Sequence, residues 1–180
     1  MPNSLTLAWT PAGDDVEVTA YRVRQDGIVV ATVGGTSAEM VGLEPWTDYS
    51  FTILAEDGAG NISNSGPEVS LKTPDFVEPS WEDSAALVAS DVTPHTLTLT
   101  WPEAGDDVSV VAYRVVQDEI LLETLGPEVT TFDVTGLNPW TDYTFRVGAD
   151  DQAGNVSVVD LEATAKTTDE VAPSWAAGEL

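Results

Sequence analysis

The chain has 180 residues, with 31 acidic side chains against six basic ones, a formal charge of −25 and no cysteine. So few Lys and Arg make nucleic acid and anionic membranes poor partners, and the lack of thiols excludes disulfides, thiolate catalysis and zinc–thiolate sites. An apolar content of 42% supports a packed core, yet no apolar run approaches the roughly 20 residues of a membrane-spanning helix.

Taken in chain order, the first element is "SLTLAW" (4–9), where Leu5, Leu7 and Trp9 alternate with Ser4, Thr6 and Ala8. Period two predicts a half-buried strand. An "AGDD" turn follows at 12–15, then "AYRV" (20–23) as the next strand, then a Gly34-Gly35 loop. The segment "GLEPWTDYSFTILAEDGAGNIS" (42–63) carries another alternating strand through Tyr49, Phe51 and Ile53, and ends in a Gly/Asn turn. After Lys72 comes "TPDFVEPS" (73–80), with two prolines and no glycine, a semi-rigid connector.

From residue 82 the pattern begins again. "EDSAALVASDVTPH" (82–95) supplies a strand around Ala86–Ser90 that has no counterpart in the first half, where Met1 aligns with Thr93. "TLTLTWPEAGDDVSVVAYRVVQDE" (96–119) then repeats residues 4–27, and "GLNPWTDYTFRVGADDQAGNVS" (136–157) repeats 42–63. Trp9 and Trp101 stand 92 positions apart, whereas Tyr49 and Tyr143 stand 94 apart. The two additional residues fall between Gly126 and Thr130, which marks that stretch as a loop. No stretch carries a helical stripe, so the class is all-β.

Several marks recur in order in both copies: a strand tryptophan (Trp9, Trp101), the tyrosine of "AYRV" (Tyr21, Tyr113), Leu-x-Pro-x-Thr-x-Tyr (Leu43 to Tyr49, Leu137 to Tyr143) and D-x-AGN-x-S (Asp57 to Ser63, Asp151 to Ser157). In these the chain resembles tandem fibronectin type III modules of the bacterial type, which are immunoglobulin-like β-sandwiches. The resemblance implies a tyrosine hydroxyl bonded back to the backbone at the corner before the sixth strand. It also divides the chain into a module lacking its strand A (1–74), a linker (75–81), a complete module (82–168), and a linker with the start of a third module's strand A (169–180). "PSWAAGEL" (173–180) matches the lead-in "PSWEDSAA" (79–86). Two accounts stay open: a segment of a longer array, or head-to-tail self-association in which residues 173–180 complete a neighbouring copy by strand addition.

No catalytic constellation is legible. The only histidine, His95, stands where the first copy has Asn3 and reads as a solvated edge residue. Lys72 and Lys166 read as edge lysines that discourage strand pairing. The resemblance places the acidic turns at one end of a sandwich. There Asp106, Asp107, Asp151 and Asn155, with the linker residues Asp75 and Glu78, form a candidate Ca²⁺ site, carboxylate and amide oxygens being the ligands this ion prefers. The competing reading is that these side chains set their own turns. The tryptophans Trp46, Trp81, Trp140 and Trp175 are candidate junction or binding aromatics, suited to packing between modules or to stacking on a sugar.

The function expected is therefore non-catalytic: a spacer in a secreted or cell-surface multidomain protein, with neighbouring modules of the same array as partners. The alternative is an adhesion module for polysaccharide or a cell-surface protein.

Overall fold

The computed structural model describes residues 4–174, and among these described residues there are strands and no helices. It falls into two compact units, Met1–Phe76 and Val77–Leu180.

Among the described residues, the first unit has six strands: β1 (Ser4–Ala8), β2 (Val18–Gln25), β3 (Ile28–Val33), β4 (Ser37–Val41), β5 (Asp48–Asp57) and β6 (Glu68–Lys72). They form a two-stranded sheet, β1-β4, and a four-stranded sheet ordered β3-β2-β5-β6, with every pairing antiparallel. Leu7, Ala38 and Met40 from the smaller sheet bury against Tyr21, Val23, Phe51 and Ile53 from the larger. The alternation read from "SLTLAW" is thus a strand laying one face on a core. Trp9 is half-buried and meets Tyr21 edge-on, with ring centroids 5.5 Å apart.

The second unit has seven: β7 (Val88–Ser90), β8 (Thr96–Thr100), β9 (Val110–Gln117), β10 (Ile120–Leu125), β11 (Thr131–Thr135), β12 (Asp142–Asp151) and β13 (Leu161–Lys166). Its sheets are β11-β8-β7 and β10-β9-β12-β13. Strand β7 is the added element, pairing Val88 with Thr100, Ala89 with Leu99 and Ser90 with Thr98. The residue just before it, Leu87, is buried in the core with Leu97, Leu99 and Trp101. The twelve buried residues of this core exceed the eight of the first unit. Trp101, at 3% exposure, is closed in where Trp9 is not.

Hairpin chemistry also differs between the copies. The β2–β3 turn is Asp26-Gly27, with φ of 49° and 84°, the left-handed pair a two-residue type I′ turn requires. The β9–β10 turn places Asp118 and Glu119 at 46° and 69°, so a glutamate holds a conformation that suits glycine.

Candidate functional site

Two ends of each sandwich concentrate polar groups. At the first, the turn after β1 or β8 lies in the same unit as the turn after β5 or β12. Asp14 Oδ1 accepts the amides of Val16 (2.9 Å) and Glu17 (3.2 Å), and Asp106 Oδ1 accepts those of Val108 (2.9 Å) and Ser109 (3.0 Å). In the AGN turns, Asp57 Oδ1 accepts the amides of Ala59 and Asn61, while its Oδ2 accepts Asn61 Nδ2 at 2.6 Å. Asp151 repeats this with Gly154 N, Asn155 N and Asn155 Nδ2, each at 2.7 Å. Asn61, through its side chain first and then its backbone, holds the Asp57 carboxyl below the usual carboxylate range. These aspartates therefore do the turn-setting work that their sequence context suggested.

The second unit adds one feature to this scheme. Asp106 Oδ2 is buried and has no hydrogen-bond partner among the described residues, and the carboxylates of Asp106 and Asp151 approach within 4.8 Å. Asn155 Nδ2 also donates to the Val77 carbonyl, 3.1 Å away. Of the other sequence candidates, Asp107 and Glu78 are exposed, and Asp75 is buried as the next-to-last residue of the first unit.

At the opposite end is the corner between β4 and β5, and between β11 and β12. Tyr49 Oη accepts the amide of Glu44 and Tyr143 Oη that of Asn138, both at 2.9 Å, the tyrosine corner that the resemblance implied. Behind it, the Thr73 hydroxyl donates to the Glu44 carbonyl at 2.6 Å and accepts the Thr47 amide at 2.9 Å. Thr167 does the same with Asn138 and Thr141. Sequence reasoning passed over these buried threonines, although the Lys-Thr after the last strand recurs in both copies.

The corner tryptophans have unusual backbones. Trp46 and Trp140 sit at φ of 49° and 51°, in the left-handed region. The Lys72 ammonium lies 4.7 Å from the Trp46 ring centroid, and Lys166 4.0 Å from that of Trp140. Those lysines also pair with Asp48 (3.6 Å) and Asp142 (3.8 Å), so they brace the corner as well as marking a strand end. Trp140 remains 65% exposed, while Trp46 is half-buried. Trp81 has a different role. It stacks on Tyr113 with centroids 6.4 Å apart, and its Nε1 donates to the Pro102 carbonyl at 3.1 Å, so it caps its own unit's core. Trp175 lies outside the described residues, as does most of 173–180.

His95 is fixed by its partners rather than poised for catalysis. Its Nδ1 lies 2.8 Å from the Leu137 carbonyl and its Nε2 3.5 Å from Glu170. The carbonyl first, and Glu170 after it, raise the imidazole above its ordinary value near 6.5. On the larger sheets, Arg22 forks onto Glu56 at 2.7 and 2.9 Å and depresses that carboxyl. Arg114 pairs with Asp150 at 2.6 Å at the matching place.

Comparison with known proteins decides the family. The fibronectin type III domain model matches residues 1–70 and again 83–158. The chain belongs to the fibronectin type III family. It is 36% identical to chitinase A1 of Niallia circulans over 96% of its own length and 34% identical to exoglucanase B of Cellulomonas fimi over 96%. The chain spans only 26% of the first relative and 16% of the second. Among solved structures, fibronectin(III)-like modules of Clostridium thermocellum CbhA align over 97% of this chain and 92% of theirs, at 12% identity and a TM-score of 0.47. Among the described residues, no helix is long and apolar enough to cross a membrane.

Proposed function

We propose that these two fibronectin type III modules are a non-catalytic spacer in a secreted or cell-surface protein that acts on a polysaccharide, holding its other domains apart or presenting them. The observation that supports this most is one of proportion. The chain aligns along almost its whole length with a minor part of each of two carbohydrate-degrading enzymes. Consistent with a spacer, the side chains of Asp57 and Asp151 bond to turn amides and those of Thr73 and Thr167 to corner carbonyls, each within its own unit.

Co-sedimentation with insoluble chitin and cellulose tests the reading. A spacer stays in the supernatant with both. Retention that is lost on Trp140→Ala replaces it with a polysaccharide-binding module working through the exposed Trp140 ring.

A second reading concerns Ca²⁺ at the Asp106 turn. It is supported by the buried, unpartnered Oδ2 of Asp106 lying near Asp151, since a desolvated carboxylate oxygen is stabilised by a cation. Calorimetric titration with CaCl₂ against Asp106→Asn tests it. Heat in the parent that the variant loses supports the site; no heat in either removes it.

A further inference from the structure

Two valines stand in solvent on a pinned loop of the second unit. Val158 and Val159, between β12 and β13, are 80% and 75% exposed. The residue before them is fixed. Ser157 Oγ accepts the Ala149 amide at 3.0 Å and donates to Asp160 Oδ1 at 2.7 Å, and the Ser157 amide donates to the Ala149 carbonyl at 2.8 Å. The first unit builds the same frame, with Ser63 bonded twice to Ala55, yet it carries Asn64 and Ser65 at the matching positions. The fold therefore does not require apolar side chains there. The valines edge a groove of about 460 Å³ whose other apolar walls are Leu161 and the lead-in residues Pro79, Trp81 and Ala85. That lead-in is held too. Ser80 and Gly105 exchange two main-chain bonds of 2.9 and 2.8 Å, Pro79 is buried, and the Trp81 ring is held by Tyr113 and the Pro102 carbonyl. Glu78, Glu82 and Asp83, all exposed, line the groove, and among the described residues no Lys or Arg does.

We propose that this groove docks a segment of a partner protein in which apolar residues are flanked by Lys or Arg. The apolar side chains cover Val158, Val159 and the half-buried Trp81, and the flanking cations reach Glu78, Glu82 and Asp83. Burial of the two valines removes apolar surface from water, which favours an apolar occupant. A pinned loop facing a held lead-in lowers the ordering cost of binding. Charge complementarity selects the flanks. None of the three carboxylates is ion-paired to a cation of the described residues, whereas Arg114, Arg146 and Lys166 of the same unit pair elsewhere. A basic segment is therefore steered in and an acidic one repelled. The proposal stands apart from the spacer reading, since a spacer that docks such a partner still ignores chitin and cellulose.

The test uses the full 180-residue chain and the capped synthetic peptide KKVLVKK, followed by the NMR shifts of the Val158 and Val159 methyls and the Trp81 indole. The expected result is saturable movement of these signals with a dissociation constant below about 1 mM, weakening as salt is raised. The double change Val158→Asn with Val159→Ser installs the pair that the first unit carries, so the fold should survive it. Read at Trp81, that variant binds the peptide about tenfold or more weakly. The peptide KKSSSKK loses a similar factor, and EEVLVEE does not bind. Four results overturn the proposal: no movement at about 1 mM KKVLVKK; equal binding by KKSSSKK or by EEVLVEE; equal binding by the double variant; or movement of the same signals by chitohexaose or cellohexaose but not by the peptide, which assigns the groove to a saccharide.

Discussion

Replacing Leu87 by alanine isolates what the seventh strand contributes. Leu87 is 6% exposed and belongs to the second unit's core, although it precedes a strand only three residues long. The change deletes three buried carbons, at about 0.8 kcal/mol each, for roughly 2.4 kcal/mol of transfer free energy. The cavity left behind adds to this, with core Leu→Ala changes spanning about 2–5 kcal/mol. Because β7 is a short edge strand whose one strand pairing among the described residues is with β8, it can shift inward and refill part of the space. The expected loss therefore lies near the low end, about 2–3 kcal/mol. Against a domain stability of about 5–15 kcal/mol that is a large fraction. Urea denaturation followed by amide resonances reads the two units separately. The second unit's midpoint falls and the first unit's does not move. A loss below about 1 kcal/mol, or an equal loss in both units, would refute the packing of Leu87 and the independence of the two cores.

Glu119→Gly stabilises the second unit. Relief of a left-handed L-residue is worth about 1–2 kcal/mol, whereas the Glu119–Arg146 pair it removes is exposed and screened by solvent; thermal melts should show a net gain, and a lower melting point contradicts the strain argument. His95, the sole histidine, gives a single imidazole titration by NMR with its midpoint above 6.5. Since its folded value is raised, its contribution to stability is complete below the unfolded value and fades as pH climbs through the folded one. Glu170→Gln lowers the midpoint only partly, because the Leu137 carbonyl is the larger cause; a return to the ordinary value means that carbonyl does not matter.

The sequence made the sheets legible wherever one face is buried. Leu97 and Leu99 fall to 1% and 0% exposure, as their alternation required, and the tyrosine corners stand where the resemblance to fibronectin type III modules implied them. It was silent where both faces meet water. Strand β10 carries Ile120, Leu121 and Leu122 at 68%, 55% and 37% exposure, so its apolar run has no period, and a register shift between Leu121 and Glu123 obscures it further. At the candidate sites, residue types pointed to the turns but not to which atoms were used. Asp106 and Asp14 share the "GDD" motif and the same pair of amide bonds, yet only Asp106 has an oxygen that is buried and unpartnered. Trp81 shows the same limit. A tryptophan beside a linker reads as a junction residue until its ring is found stacked on Tyr113.

Where the few cations go bears on the spacer reading more than the total charge does. Five of the six basic side chains, Arg22, Lys72, Arg114, Arg146 and Lys166, lie within 4.0 Å of a carboxylate of their own unit. No cationic patch is left by that arrangement to draw in a polyanion, whose binding needs clustered Lys and Arg. The remaining acids repel one another, an effect screened over about 10 Å at 0.1 M salt. Such a surface resists association with copies of itself at low salt and loses that resistance as salt rises. Any contact between two copies of this chain should therefore tighten as salt is added, and sedimentation velocity across a salt series reads it: an average mass that falls with added salt would contradict the repulsion argument.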